Sequence, residues 1–437
     1  MIGDRLYARA REVIPGGVCA SVRLNQALGK PVYVAEASGS RFTDVDGREY
    51  IDMCCSHGAA LLGHGHPDVQ AALAQAAEMG ICCSFDTPHH TELAEMLCDM
   101  VPCAERVRFT NSGTEATLHA LRLCRAYSGR DKILRFTGHF HGYHELIYID
   151  GHPPAEQLDD PSAYIESAGI PEQMSRFVIA LPFNDLGAVA EALAQHDDIG
   201  TIILEPVNYN SGCILPREGY LNGLRDLATE HGVVLFFDEI QSALKNSPGG
   251  AQEDFGVVPD ICTMGKAVGG GVPLSVICGR AEIMDRFRPE GDVQHSGTFN
   301  AHLASILAGL ALCRLVRQPG FYPSLRRKVT RFHEELDGIL GHLGVPVAAP
   351  HHGARFGLLM GPDEPPANYR ETLGHRRDIM LAFVRETFAR GVYFADYGGG
   401  PCHRGFSAVH SDEDLSRVLE VMQDALSAVG EMFGRRS

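Results

Sequence analysis

Short apolar runs alternate with stretches of helical periodicity along most of this chain. Residues 106–110, 132–136, 201–204 and 233–237 are apolar enough to read as strands. Residues 115–127, 220–231 and 301–316 repeat their apolar positions every three to four residues and read as helices. Strand and helix in alternation imply an α/β fold with a mainly parallel sheet flanked by helices. Residues 41–52 alternate around Asp46-Gly47, the pattern of an antiparallel hairpin. The texture changes after about residue 318. A long polar helix pattern over 322–343 gives way to short strands and a last helix over 412–433, which predicts a separate, smaller α+β unit.

Composition narrows the class. The 437 residues are 45% hydrophobic and 21% charged, ordinary for a globular protein of two or three packed units. No run approaches the ~20 apolar residues that span a bilayer, so no membrane partner is expected. The first ten residues carry scattered charges and no apolar signal core, so a cytoplasmic location is expected. The 38 Lys and Arg against 55 Asp and Glu give a net charge of -17, which argues against a nucleic-acid partner. Thirteen cysteines include the adjacent pairs Cys54-Cys55 and Cys82-Cys83 in largely apolar segments, without a C-x-x-C. They read as buried free thiols rather than a disulfide framework.

The chemistry centres on one lysine and one aspartate. Asp238 ends the apolar run Val233-Val234-Leu235-Phe236-Phe237, and Lys266 sits in Gly265-Lys266-Ala267-Val268-Gly269-Gly270-Gly271. A carboxylate at the end of a buried strand, followed by a lysine in a glycine-rich turn, suits pyridoxal 5'-phosphate (PLP). The lysine forms a Schiff base with the cofactor aldehyde, and the aspartate keeps the pyridine nitrogen protonated. Ser112-Gly113-Thr114 follows a strand and opens a helix. It offers backbone N–H groups and two hydroxyls to the cofactor phosphate, although Ser112 reads equally well as a helix cap. In His139-Phe140-His141-Gly142-Tyr143-His144, Phe140 is placed to stack on the cofactor ring with His141 in support. A metal on the three histidines lacks any matching carboxylate or cysteine motif. Glu205 and Asp238 end successive strands. Carboxyl ends of parallel strands face the ligand crevice, so both point at one site. Ile240 then packs on the ring face opposite Phe140, and Gln241 reaches its phenolic oxygen. Gly297-Thr298, ahead of another helix, is a second phosphate candidate.

These segments, together with Ile14-Pro15-Gly16-Gly17-Val18, Leu62-Gly63-His64-Gly65-His66-Pro67 and Gly405-Phe406-Ser407, run in order along essentially the whole chain. In them the chain resembles the class III (fold type I) PLP-dependent aminotransferases. It is similar above all to the branch with glutamate-1-semialdehyde aminomutase and the β-amino acid aminotransferases. The resemblance implies a large PLP-binding domain over 61–317 and a small domain made of 318–437 joined by the N-terminal segment 1–60. It also implies a homodimer with shared active sites, in which Thr298 reaches the neighbouring subunit's phosphate. Arg23, just after the Pro-Gly-Gly-Val motif, is the position that holds a substrate carboxylate in this branch, and a guanidinium grips a carboxylate with two parallel bonds. Arg404, in a glycine-rich turn, is a second substrate-binding candidate.

Two departures from the family pattern stand out. Phe140 replaces a tyrosine, and Ala243-Leu244-Lys245 replaces Gly-x-Arg. Lys245 is a rival for the Schiff base. Its polar surroundings, Asn246-Ser247-Pro248, imply an exposed amine that keeps its proton and is a poor imine former. The glycine- and serine-rich gating loop of the aminomutase is missing from residues 145–154. The expected reaction is therefore amino transfer between an amino donor and a keto acceptor. An aminomutase or racemase is the alternative, and an inactive binding protein on the same scaffold a more distant one.

Overall fold

The computed structural model describes residues 1–80, 84–160 and 162–434. Cys82 and Cys83 lie outside these, and the eleven described cysteines are all free. At the centre is a seven-stranded sheet. Its order is Arg106–Thr110, Ser275–Gly279, Ile261–Met264, Val234–Glu239, Ile199–Leu204, Lys132–Phe136 and Val178–Leu181. Ser275–Gly279 runs antiparallel to both its neighbours, and the other pairings are parallel. Every residue of Ile199–Leu204 and Val234–Glu239 is buried, because helices cover both faces of the sheet. That is why these strands read as unbroken apolar runs.

Val234–Glu239 extends two residues beyond the apolar run, so Asp238 and Glu239 stand within the strand rather than after it. The helix expected over 115–127 spans Gly113–Ser128. Ser112 caps it by accepting the Glu115 N–H at 3.2 Å, and left-handed Gly129 ends it. The helices expected over 301–316 and 322–343 occupy Leu303–Val316 and Phe321–Leu343. The one expected over 412–433 ends at Val429.

The hairpin forms, with Arg41–Asp44 antiparallel to Glu49–Asp52. It belongs to a four-stranded sheet that also holds Val34–Ser38 and Val392–Tyr393, the last pairing parallel with Glu49–Asp52. The beginning and end of the chain thus share one small sheet. A continuous apolar core links this region to the large sheet, from Leu134 and Phe237 to Phe383, Val418 and Leu426. No described helix is long and apolar enough to cross a membrane.

Candidate active site

The parallel strands deliver their carboxyl ends to one cleft of about 360 Å³. Asp238 and Glu205 arrive from adjacent strands. Ser112, Gly113 and Thr114 arrive at the start of helix Gly113–Ser128, and Lys266 from the turn after Ile261–Met264. The structure therefore brings Lys266, Asp238, Glu205, Ser112, Gly113, Thr114, Phe140, His141, Ile240 and Gln241 around one space.

Asp238 is fixed on both oxygens. Oδ2 lies 2.8 Å from His141 Nδ1, and Oδ1 accepts from Thr263 Oγ1 and the Ile240 N–H, each at 3.1 Å. Burial lowers the pKa of His141, against the pull of Asp238. A neutral ring then donates its Nδ1–H to the aspartate. Glu205 accepts the Phe140 N–H and the Asn210 amide, both at 2.9 Å. Burial pushes its carboxyl up to about 8. Loss of solvation likewise lowers the Lys266 amine, against the attraction of Glu205 and Asp238. Lys266 thus sheds its charge more readily than a lysine in water.

Two glycines are required by close approach. A Cβ on Gly265 would come within 2.7 Å of Ser275 Oγ and 2.8 Å of Ile240 Cδ1. Gly142, with φ 110°, would press a Cβ to 2.8 Å from the Thr114 Cα. Lys266 itself adopts a left-handed φ of 48°, a strained setting that aims its side chain into the cleft.

A larger chamber of about 780 Å³ opens beside the cleft, and Lys266, Phe140 and Asn210 border both. Tyr143, Tyr148, Tyr164, Tyr369 and Tyr397 line it, with Glu166 as its one carboxylate among the described residues. Sequence reasoning missed these groups. Tyr143 lies inside the His139–His144 segment but was given no role there, and the others lie outside any motif, their only signal a local density of tyrosine and histidine.

The expectations for Lys245 and Arg404 are corrected, and the remaining candidates are placed. Lys245 is buried, not exposed, and its ammonium donates to the Gln241 carbonyl. Burial lowers its pKa, so proton retention does not rule it out. Position does, because Lys245 borders neither the cleft nor the chamber. Arg404 is fully buried and also borders neither. Its guanidinium donates to the carbonyls of Cys402 at 2.6 Å and Gly400 at 3.3 Å, anchoring the chamber wall. Arg23 is exposed and borders a neighbouring hollow with Cys54 and His64, whereas Val22 beside it reaches the chamber. Thr298 is exposed and away from this chain's cleft. Gln241 turns Nε2 to His403 Nδ1 at 3.2 Å, leaving Oε1 buried without a partner. The three histidines do not converge on a metal. His139 Nδ1 accepts from the Glu205 N–H, His141 binds Asp238, and His144 Nε2 lies 3.4 Å from Thr117 Oγ1.

The family profile for aminotransferase class-III matches residues 25–426. The chain belongs to the class-III aminotransferases. Among solved structures, it is 30% identical to an omega-transaminase from Sphaerobacter thermophilus, with 97% of each chain covered and a TM-score of 0.91. It is 28% identical to a transaminase with PLP bound, over all of both chains, with a TM-score of 0.89. A glutamate-1-semialdehyde aminomutase from Pseudomonas aeruginosa PAO1 is 25% identical, with 97% of this chain and 94% of that one covered and a TM-score of 0.87. The fold is that of the fold type I PLP-dependent transferases. This class-III aminotransferase is an enzyme that uses PLP and acts on an amino donor and a keto acceptor. The residues present fit the cofactor. A half-buried lysine with a desolvated amine, a carboxylate fixed by three donors, a helix N-terminus and a glycine-held gap converge on one cleft.

Proposed function

We propose that this aminotransferase moves an amino group between two separate molecules, with both half-reactions at Lys266. The observation that carries this is the place of Lys266 at the junction of cleft and chamber. When bound, the cofactor supplies an aldehyde that takes up the amino group and a ring that withdraws electrons. The chain supplies the rest. Ser112, Gly113 and Thr114 hold the phosphate, Asp238 holds the ring nitrogen in its protonated form, and Phe140 and Ile240 confine the ring. Lys266 anchors the resting cofactor and moves the proton at the substrate carbon, with Glu205 beside it to adjust its charge. Donor and acceptor occupy the chamber in turn, one leaving before the other enters.

The enzyme incubated with a productive amine alone is expected to accumulate pyridoxamine phosphate and to release one carbonyl product per site, read from the change in cofactor absorbance. An aminomutase or racemase would return the cofactor to its starting spectrum with no carbonyl released. That result would replace amino transfer with one of those reactions.

The active unit in this reading is a homodimer, and the free thiols suit a cytoplasmic enzyme. Exposed Thr298 and Phe299, the latter 60% exposed, lie on the surface that would meet the second subunit, with Thr298 reaching its phosphate. Mixed Lys266→Ala and Thr298→Ala subunits test this. If sites are shared, one site of each hybrid carries both lesions and the other neither, so activity rises above both parents. An activity equal to the average of the parents would remove Thr298 from the partner's site.

A further inference from the structure

A second chemical centre lies in the same sheet, outside the cleft that holds Lys266. Cys262 and Cys278 are direct partners across the antiparallel strands Ile261–Met264 and Ser275–Gly279, so both side chains leave the same face. Their sulfurs are 3.2 Å apart. Cys103, in the turn after helix Pro88–Met100, brings a third sulfur, and all three lie within 4.8 Å of one another. All three residues are buried, and none takes part in the chemistry at Lys266. Cys103 is positioned from behind, its N–H donating to Gln252 Oε1 at 2.8 Å, and Gln252 Nε2 in turn donating to Glu239 at 2.9 Å. Among the described residues this is the one cluster of His, Cys, Asp and Glu with metal-ligand spacing.

We propose that Cys103, Cys262 and Cys278 form a binding site for a thiophilic divalent d10 ion, of which zinc is the common example and cadmium the softer one.

The donor set selects the class, because thiolate sulfur favours soft and borderline ions and no hard oxygen ligand is offered. Three sulfurs with a fourth position open is a coordination zinc accepts. Cys103, but neither Cys262 nor Cys278, also borders a surface hollow of about 480 Å³ with Val233, Asp260 and Arg280. That hollow is the route of entry. Counted from three neutral thiols, binding forms three metal–sulfur bonds and releases three protons to solvent through the hollow. Three thiolates on a divalent ion leave the centre with one negative charge, and Arg280 borders the same hollow as Cys103. The ion ties together three segments that are distant in sequence, one of which leads into Lys266.

Cadmium is the probe, because its thiolate bonds absorb in the ultraviolet. Titration of the holoenzyme is expected to raise this band to saturation at one ion per chain, with zinc competing for the same sites. Cys103→Ser is expected to weaken binding by more than about 100-fold, beyond the loss caused by removing an outer-shell partner. Cys98→Ser and Cys19→Ser should leave the band unchanged. Should Cys103→Ser fail to fold, alkylation of the unaltered protein gives the answer, since one equivalent of cadmium should protect Cys103 in the peptide map. A band that does not saturate at one ion, that survives in Cys103→Ser, or that disappears in Cys98→Ser or Cys19→Ser would overturn the site, as would undiminished alkylation of Cys103.

Discussion

Lys266→Ala is expected to fold, to bind PLP without a covalent link, and to lose activity by several orders of magnitude. The fold should survive because the substitution adds no new strain. Lysine and alanine meet the same penalty at a φ of 48°, and the cleft side of Lys266 has space where the side chain stood. The lost proton transfer alone accounts for about 10²–10⁴-fold. The lost anchor adds to this, because the resting cofactor is no longer held in a reactive, nitrogen-bound form. Borohydride treatment of the unaltered enzyme followed by peptide mapping should place the cofactor on the peptide containing Lys266. The variant should give none, and added small amines should restore part of its activity. Label on Lys245 would overturn the assignment. That control is informative because Lys245 is buried and, like Lys266, loses charge easily, so position separates the two amines.

Asp238→Asn should keep cofactor binding and lose at least about 10²–10³-fold in turnover, the scale of one removed electrostatic contact at a reacting centre. The side chains are nearly the same shape, and an asparagine oxygen can still accept from His141 Nδ1, Thr263 Oγ1 or the Ile240 N–H. What disappears is the negative charge that keeps the ring nitrogen protonated, and with it the ring's capacity to draw electrons from the substrate carbon. His141→Ala removes only one of three contacts that orient Asp238 and is expected to fall between this variant and the parent. Single-turnover absorbance with an amine donor separates the two quantities. Turnover near the parental value in Asp238→Asn would remove the proposed role.

The cofactor bed was legible in the sequence because each of its parts is a local device. A carboxylate on a buried strand, a hydroxyl-rich helix start and a lysine between glycines can each be read within a few residues. Their shared position follows from parallel strands ending on one side. The antiparallel strand Ser275–Gly279 was not foreseen. Its apolar residues follow Gly269 to Pro273, in a stretch read for its lysine and glycines rather than as a sheet element. The chamber was illegible for a different reason. Its walls come from Val22, from residues between Tyr143 and Glu166, and from residues between Tyr369 and His403, which meet only through long-range packing. Lys245 and Arg404 show the same limit for single side chains. Polar neighbours suggested an exposed Lys245 and a glycine-rich turn suggested a substrate contact for Arg404, yet the tertiary fold buries both, with backbone carbonyls as their partners.

The small sheet in which Glu49–Asp52 pairs with Val392–Tyr393 sets an order on assembly. During synthesis the large sheet and its lysine turn are complete long before the strand near residue 392 leaves the ribosome. Closing so long a loop is also slow in entropic terms. The cofactor bed can therefore exist first as an open shelf. The chamber is walled only when the tail returns to the head of the chain, bringing Tyr397 against His57 at 2.8 Å. A nascent chain would acquire a place for its cofactor before a place for its substrate, and the segment around residues 392–403 decides when the enzyme becomes selective.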